Sequence, residues 1–194
     1  GTASFTMAML DEGAGNYGAL DLAARKEQLG AEITTGAGLD SASASLSALS
    51  DKLPESLDLL ADVLRRPTFD AGELERVRAT WLAGIKQEKA RPQSAAMRVM
   101  PPRLYGEGHP YAIPFTGSGT EASIASLTGD DLKAFHANWL QPDKARIVVV
   151  GDTTLAEIKP MLEKAFAGWK AGEVPKKVLA TVAPQEKSVV YLVD

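Results

Sequence analysis

The sequence contains two histidines, His109 and His136, and their surroundings bear on whether this chain can bind zinc. A zinc site usually needs two ligands about one helical turn apart plus a third from elsewhere, because one helix face then presents two nitrogens at metal distance. Neither histidine has such a neighbour, since His109 precedes Pro110 in a Gly- and Pro-rich segment and His136 lies in an amphipathic helical pattern. We therefore predict structural, hydrogen-bonding roles for both histidines.

Adjacent acidic residues are a second candidate for chemistry, because paired carboxylates can act as a general acid and a general base. The two such pairs are Asp130 with Asp131 and Asp11 with Glu12. Acids in the first turn of a helix more often cap the helix and interact with its dipole. The sequence also supplies no nucleophile and no pocket of opposed carboxylates, so a catalytic role for either pair is disfavoured.

Two Gly- and Ser-rich stretches have structural explanations. The stretch from Gly117 to Thr120 lacks the Gly-Lys-Ser/Thr ending of a phosphate loop and does not follow a strand, so it predicts a turn. No Gly-x-Ser-x-Gly elbow surrounds any serine between Ser41 and Ser50. One hydrolytic arrangement stays open as an alternative, formed by Glu107, His109 and Tyr111, although Glu107 and His109 lack a third catalytic partner.

The composition limits the classes of function. The chain has 194 residues, of which 45% are hydrophobic and 24% charged, enough for one sizeable core. Its net charge of -4 comes from interleaved acidic and basic residues, which disfavours nucleic-acid binding. The longest apolar run, Ile147 to Val150, is far shorter than the roughly 20 residues that cross a bilayer. The absence of cysteine excludes thiolate catalysis, disulfides and Cys-ligated zinc.

Hydrophobic periodicity predicts an α+β domain with a mainly antiparallel sheet covered by helices. Apolar residues at helical spacing predict helices at about 2–10, 19–29, 54–66, 70–91, 93–100, 128–141 and 154–169. Period-two alternation predicts an antiparallel pair of strands at 31–38 and 39–50 and a strand at 188–193, and a continuous apolar run predicts a fully buried strand at 145–150. The buried face of the helix after Thr128 is expected to include Leu132, Phe135, Trp139 and Leu140.

These elements predict three parts of the chain. Residues 1–172 form one domain, residues 173–186 form a linker whose sequence has no periodicity, and residues 187–194 form a strand. That strand either begins a following domain or returns as an edge strand of the first. Because the chain begins with Gly1 rather than Met, we expect it to be a piece of a longer protein.

The order of these segments resembles the first half-domain of the insulinase and pitrilysin family of inverted zincins, which includes the mitochondrial processing peptidases. The resemblance spans roughly residues 1–170 and implies one half-domain of the insulinase/processing-peptidase fold. The segments that carry it are GTASFTMAMLDEGAG, KEQLGAEITTGAG, LPESLDLLADVLRRPTFDAGELERVR, LYGEGHPYAIPFTGSG, SLTGDDLKAFHANWLQPDKARIVVVGD and LEKAFAGW.

The same resemblance implies that the catalytic residues are missing. In active members a His-x-x-Glu-His motif on the first helix supplies two zinc ligands and the glutamate that activates water, and a glutamate on the long helix completes the site. The resemblance places Ser4 and Ala8 at the histidine positions, Met7 at the general-base position, and Ala83 or Gly84 at the distal glutamate. Met cannot take a proton from water, and Ala and Gly cannot ligate a metal. We therefore expect no catalytic, cofactor-binding or metal-binding residue and no cofactor in this chain.

The resemblance further implies a clam-like assembly in which two bilobal halves enclose a chamber, one half binding zinc and the other contributing walls and substrate contacts. We expect this chain to belong to the silent half, inactive by itself, with a peptide or unfolded protein as substrate. Its partner would be a zinc-binding homologous subunit or a second half-domain. The alternative is a purely structural interaction subunit of the same fold, like the core proteins of respiratory complexes. Similarity to secreted bacterial members favours the periplasm.

A final expectation concerns the sheet. The family's half-domain begins some tens of residues earlier, so the chain is expected to lack its first strands and to have an open sheet edge. Open edges invite pairing. We predict that the edge is covered by the strand at 188–194 or by another copy of the chain.

Overall fold

The computed structural model describes residues 1–182, 184 and 187–192. Within them, eight α-helices accompany two short antiparallel pairs of strands. The helices are α1 Thr2–Met9, α2 Ala19–Leu29, α3 Leu53–Arg65, α4 Ala71–Lys89, α5 Pro92–Tyr105, α6 Glu121–Ser126, α7 Gly129–Trp139 and α8 Leu155–Ala165. The strands are β1 Gly13–Ala14, β2 Tyr17–Gly18, β3 Glu32–Ala37 and β4 Ala42–Ser47.

Local side-chain and backbone chemistry sets four of the helix ends close to where the sequence predicted them, whereas the helix predicted to reach residue 169 ends at Ala165. The Asp70 carboxylate accepts hydrogen bonds from the first backbone amides of α4. Thr128 forms a capping box with Asp131 at the start of α7. At the start of α8, the Glu157 carboxylate accepts hydrogen bonds from the backbone N–H and the hydroxyl of Thr154. At the end of α2, Gly30 adopts a left-handed conformation with a φ of 59°, which closes the helix.

The β3–β4 hairpin confirms the predicted antiparallel pair. Its register runs from Glu32 opposite Ser47 to Ala37 opposite Ala42. Alternate side chains of β3 point to opposite faces, so Ile33 is buried in the core while Glu32 is exposed. The α+β class and the antiparallel pairing are therefore confirmed, although each sheet has only two strands among the described residues.

Helix α1 lies at the centre of the hydrophobic core. Its residues Phe5, Met7 and Met9 are at most 1% exposed, as expected for a helix that is apolar on every side. It contacts β3, α4, α6 and α7. The buried residues that join it in one cluster include Leu22, Val63, Ile85, Ile124 and Leu132. A second, smaller cluster joins α3 and α8 through Leu57, Ala61, Ile158 and Ala165.

Three predictions about apolar segments are wrong. Residues 145–150 form no strand, and Val150 is 94% exposed, because no described residue pairs with this segment. Trp139 is 38% exposed instead of buried. Helix α5 continues to Tyr105 through Pro101 and Pro102. Pro101 leaves the carbonyl of Met97 without its helical partner, and the backbone N–H of Phe115 donates to that carbonyl instead.

The predicted returning edge strand is not formed in its described part. Residues 188–192 are exposed and have no strand conformation, while residues 193 and 194 lie outside the described residues. Residues 188–192 therefore do not cover a sheet edge within this chain. Pairing with another copy of the chain stays a prediction, as does the division into residues 1–172, 173–186 and 187–194. No helix among the described residues is long and apolar enough to cross a membrane.

Candidate functional site

The candidate site is the part of α1 where the resemblance places the zinc motif. Ser4 and Ala8 are half-buried, whereas Met7 is 1% exposed and belongs to the main core cluster. Thr35 of β3 donates a hydrogen bond of 2.6 Å to the Met7 carbonyl and so ties the helix to the hairpin. The Met7 side chain consequently packs among apolar groups and cannot reach a water molecule in an open cleft.

A Gly-rich turn covers the first residues of α1. Gly117 has a φ of +74°, and a Cβ atom at this position would lie 2.8 Å from the Ser4 Oγ atom. A Cβ atom at Gly119, whose φ is +76°, would lie 2.7 Å from the Cα atom of Gly1. Both positions require glycine because of their backbone conformation and because of this close approach. The stretch predicted to be a turn bends at Gly117 and packs on the start of α1.

The long helix α4 faces α1 through aromatic packing. The rings of Phe5 and Trp81 meet edge to face at 5.4 Å, and Trp81 Nε1 donates a 2.9 Å hydrogen bond to the Ser118 carbonyl in the Gly-rich turn. Ala83 and Gly84 follow on the same helix, and both are exposed. A Cβ atom at Gly84 would meet no atom within 4 Å. The helix therefore offers open space, without a ligand, where a distal glutamate is expected.

A polar network that the sequence did not indicate fixes the turn. Arg98, whose side chain is only 9% exposed, forms a 2.7 Å ion pair with Glu88. It also donates to the Ser118 hydroxyl at 2.7 Å and to the Gly119 carbonyl at 2.6 Å. The Ser118 hydroxyl in turn donates to Glu88 at 2.8 Å. Because each charge is paired and hydrogen-bonded, the network holds the turn in one position over α1.

Both histidines make hydrogen bonds to the backbone, as predicted. His136 Nε2 lies 2.7 Å from the Leu64 carbonyl. His109 Nδ1 accepts from the Tyr111 backbone N–H at 3.0 Å, and its Nε2 lies 3.2 Å from the Ala180 carbonyl. With both ring nitrogens engaged, His109 has no free nitrogen to act as a general base with Glu107.

The acidic pairs also have structural partners. The hydroxyl and backbone N–H of Thr128 donate to Asp131, and these hydrogen bonds hold the pKa of Asp131 below its usual value. Asp130 lies 3.2 Å from Lys133, and Asp11 lies 2.7 Å from Lys26. These carboxylates cap or pair within the surface of the domain and do not converge on a common point.

The donor atoms of the described residues do not fit a zinc ion. Among residues 1–182, 184 and 187–192, no three His, Cys, Asp or Glu side chains come together in a way that could hold a metal. At α1 itself the side chains offered are a hydroxyl from Ser4, a thioether from Met7 and a methyl from Ala8. A tetrahedral zinc site needs three or four nitrogen, sulfur or carboxylate ligands, and these side chains do not provide them.

Two protein-family models match the sequence. The model described as "Insulinase (Peptidase family M16)" matches residues 1–109. The chain belongs to this family. The model described as "Peptidase M16 inactive domain" matches residues 126–194. Membership of family M16 confirms the resemblance to the insulinase and pitrilysin peptidases.

Solved structures of M16 proteins have the same fold. A peptidase M16 inactive domain from Pseudomonas fluorescens superposes with a TM-score of 0.85 at 35% identity, covering 94% of this chain and 44% of that one. Pitrilysin superposes with a TM-score of 0.78 at 21% identity, covering 95% of this chain and 20% of that one. The chain is therefore one half-domain of the M16 fold, as predicted.

The curated relatives include one that is named a protease and one that is named a non-peptidase homolog. "Uncharacterized zinc protease YmxG" of Bacillus subtilis is 26% identical over 88% of this chain and 41% of its own length. "Non-peptidase homolog YmxG" of Helicobacter pylori is 24% identical over 86% of this chain and 38% of its own length. The chain thus spans less than half the length of these relatives. It is an inactive-type M16 domain related to proteins named as zinc proteases.

Proposed function

We propose that this chain is part of the non-catalytic half of an M16 zinc metallopeptidase and helps to enclose and bind a peptide or unfolded-protein substrate. The observation that carries the proposal is the burial of Met7 in the core. The resemblance places the general base of an active member at this residue. A glutamate that activates water must meet that water in an accessible cleft, whereas this position has become part of the hydrophobic core.

The other positions of the motif support the same proposal. Ser4 and Ala8 replace the two histidine ligands, and Ala83 or Gly84 replaces the distal glutamate. One lost ligand can be replaced by a neighbouring side chain, but four lost roles require four replacements. No cluster of three His, Cys, Asp or Glu is present among the described residues to supply them. In this proposal the zinc belongs to the partner half.

The partner is proposed to be a zinc-binding homologous subunit or a second half-domain. Support comes from chain length, because the matched relatives are more than twice as long as the matched region. The solved "first half of the periplasmic protease PqqL from Escherichia coli" shows the same fold, with a TM-score of 0.77 at 17% identity over 40% of that chain. We extend the proposal to a periplasmic location.

The test is a cleavage and binding assay on the full-length parent protein, alone and with its proposed zinc-binding partner. If the zinc-binding partner is a separate subunit, we expect the parent alone to bind fluorescent peptides without cleaving them, and the pair to cleave them in a way that a chelator abolishes. If the partner is a second half-domain of the parent, we expect the parent itself to show this chelator-sensitive cleavage. Chelator-sensitive cleavage by the non-catalytic half alone would contradict the proposal. A matched control is the pair carrying a Glu-to-Gln change in the partner's zinc motif, which should bind peptide and cleave none.

A structural interaction subunit is the second candidate. Cytochrome b-c1 complex subunit 1 of Caenorhabditis elegans is 22% identical over 92% of this chain and 37% of its own length. That name describes a component of a larger complex. Under this alternative the full-length parent binds no peptide with or without a partner, yet purifies in a stable assembly, so the same binding assay separates the two candidates.

A further inference from the structure

The segment after the last helix is tied to the body of the domain at several points, although its sequence is typical of a free linker. The Gly172 backbone N–H donates to the Gln141 side-chain oxygen at 2.6 Å. Lys177 Nζ donates to an Asp40 carboxylate oxygen at 2.6 Å. The Ala180 carbonyl lies 3.2 Å from His109 Nε2. The residues contacted are Gln141, the second residue after α7, Asp40 in the β3–β4 turn and His109 in the α5–α6 loop.

The side chains that contact this segment also contact one another. Asp40 accepts a second hydrogen bond from the Tyr111 hydroxyl, at 2.8 Å. The hydrogen bonds from Lys177 and Tyr111 lower the pKa of the Asp40 carboxyl. His109 stacks on the Tyr105 ring at 5.2 Å, and Tyr105 meets Tyr111 edge to face at 5.6 Å. The β3–β4 turn and the α5–α6 loop therefore form one continuous surface.

The direction of the His109 hydrogen bond is set by this surface. Its Nδ1 accepts from the Tyr111 backbone N–H, so the proton of the neutral ring is on Nε2. Nε2 consequently donates to the Ala180 carbonyl. Stacking on Tyr105 and the hydrogen bond from Tyr111 already fix the orientation of the His109 ring. Its Nε2–H group therefore loses little rotational freedom when it binds a backbone carbonyl, so this surface is preorganised to bind an extended segment.

From these contacts we infer that residues 172–182 form a docked strap, held on a preformed receptor made by Asp40, His109 and Tyr111. The strap is almost entirely exposed, so its place depends on these polar contacts and not on burial in the core. A further contact continues beyond it, where the Arg103 guanidinium lies over the Tyr191 ring at 5.3 Å. The strap fixes the direction in which the chain leaves this domain.

This inference goes beyond the proposed function, and the docking does not depend on it. Only one consequence rests on the proposed function, namely that the strap would set the position of the lobe that follows in a chamber. The experiment below measures docking directly, with no substrate, partner or zinc. Its failure is therefore distinct from a failure of the peptide-binding assay.

The absence of cysteine makes a distance measurement direct, because two introduced cysteines carry the only spin labels. One label replaces Lys176 in the strap, and the other replaces the exposed Asp58 on α3. Pulsed electron paramagnetic resonance then gives the distance distribution between them. A docked strap predicts a single narrow distribution in the otherwise unchanged chain. A broad distribution in that chain overturns the inference.

Variants test whether the named contacts hold the strap. Asp40→Asn with His109→Phe keeps an acceptor for Tyr111 and a ring for stacking, but removes the charge and the donor to Ala180. We expect the distribution to broaden at least two-fold. Lys177→Met removes the ion pair with Asp40 by changing a residue of the strap and none of the rest of the domain. It therefore tests this contact even if the double variant fails to fold. Narrow distributions in all variants overturn the inference.

A matched control separates these contacts from a general effect of surface charge. Asp130→Asn removes an exposed ion pair of the same kind, with Lys133 on α7, away from the receptor. The distribution in this control is expected to match that of the otherwise unchanged chain. Equal broadening in the control and in Lys177→Met would show that the docking does not depend on the receptor, and would overturn the inference.

Discussion

The substitution Met7→Glu introduces a glutamate at the position that the resemblance equates with the general base of an active M16 peptidase. Its cost in unfolding free energy reports whether that position lies in the core or in an open cleft. Met7 is 1% exposed and packs in the main hydrophobic cluster. A carboxylate there loses its hydration without gaining a cation, so its pKa rises by about 3 units or more. At about 1.4 kcal/mol per unit, neutralising it at pH 7 costs about 4 kcal/mol.

The loss of apolar burial adds about 1 to 2 kcal/mol, so the total is about 5 to 6 kcal/mol at pH 7. This is comparable with the whole stability of a typical domain. The pH dependence has a definite sign. A carboxyl group whose pKa is raised on folding favours the folded state below its unfolded pKa, near 4.3, and loses that contribution as pH rises through the folded pKa. The destabilisation should therefore shrink as pH falls from 7 to 4.5.

Urea unfolding followed by circular dichroism measures this cost at each pH, always as a difference from the unchanged chain. Met7→Leu is the control for volume and should cost under about 1.5 kcal/mol at every pH. Met7→Gln is the control for a neutral polar group and should show no pH dependence. If Met7→Glu costs less than about 1 kcal/mol with no pH dependence, the side chain faces solvent and our account of the site is refuted.

Three further predictions follow from the turn, the aromatic contact and the cap. Gly117→Ala should destabilise the domain by about 1 to 2 kcal/mol in urea unfolding because of its positive φ and its approach to Ser4, whereas Gly36→Ala, with no atom within 4 Å of its Cβ position, should not. Trp81→Phe should cost about 1 to 2 kcal/mol in thermal unfolding, since it removes the hydrogen bond to the Ser118 carbonyl. Asp131 has a lowered pKa, so its contribution to stability is present above about pH 4 and is lost as pH falls further. In the Asp131→Asn variant, the free energy of unfolding should therefore fall less steeply as pH decreases below about 4.

Each of these predictions has a result that contradicts it. Equal effects of Gly117→Ala and Gly36→Ala would show that the turn does not press on α1. An unchanged melting temperature in Trp81→Phe would show that the bond to the turn contributes nothing. If the free energy of unfolding of Asp131→Asn changes with pH in parallel with that of the unchanged chain down to pH 3, the Asp131 carboxylate does not contribute to the acid dependence of stability.

Helix ends could be predicted from the sequence because their causes are local. Asp70, Thr128 and Thr154 each cap a helix with their own side chains or with a partner three residues away. Gly30 ends α2 because it can adopt a left-handed conformation. The β3–β4 pair was predictable for a similar reason, since alternation and a short turn fix its register.

Features that depend on distant residues were predicted poorly. The run from Ile147 to Val150 has the composition of a buried strand, but a strand forms only where another strand pairs with it, and no described residue does. The network of Arg98, Glu88 and Ser118 joins segments far apart in sequence, and no local pattern marks it. The strap contacts on Asp40 and His109 escaped prediction for the same reason, because a linker sequence carries no periodic signal.

The candidate site was predictable only through the family resemblance. Nothing in composition or spacing marks Ser4, Met7 and Ala8, since they are ordinary residues of an apolar helix. The resemblance gave their positions, and the structure adds that Met7 lies inside the core and that Gly84 faces open space. Our central proposal is that these residues stand where an active member holds zinc.

The most direct test of that proposal is the zinc content of the purified chain, measured by elemental analysis after zinc has been added and the sample desalted. We expect much less than one zinc per chain, because α1 offers a hydroxyl, a thioether and a methyl group where ligands are needed. One tightly held zinc per chain would contradict the account, and would require a ligand set built from other residues.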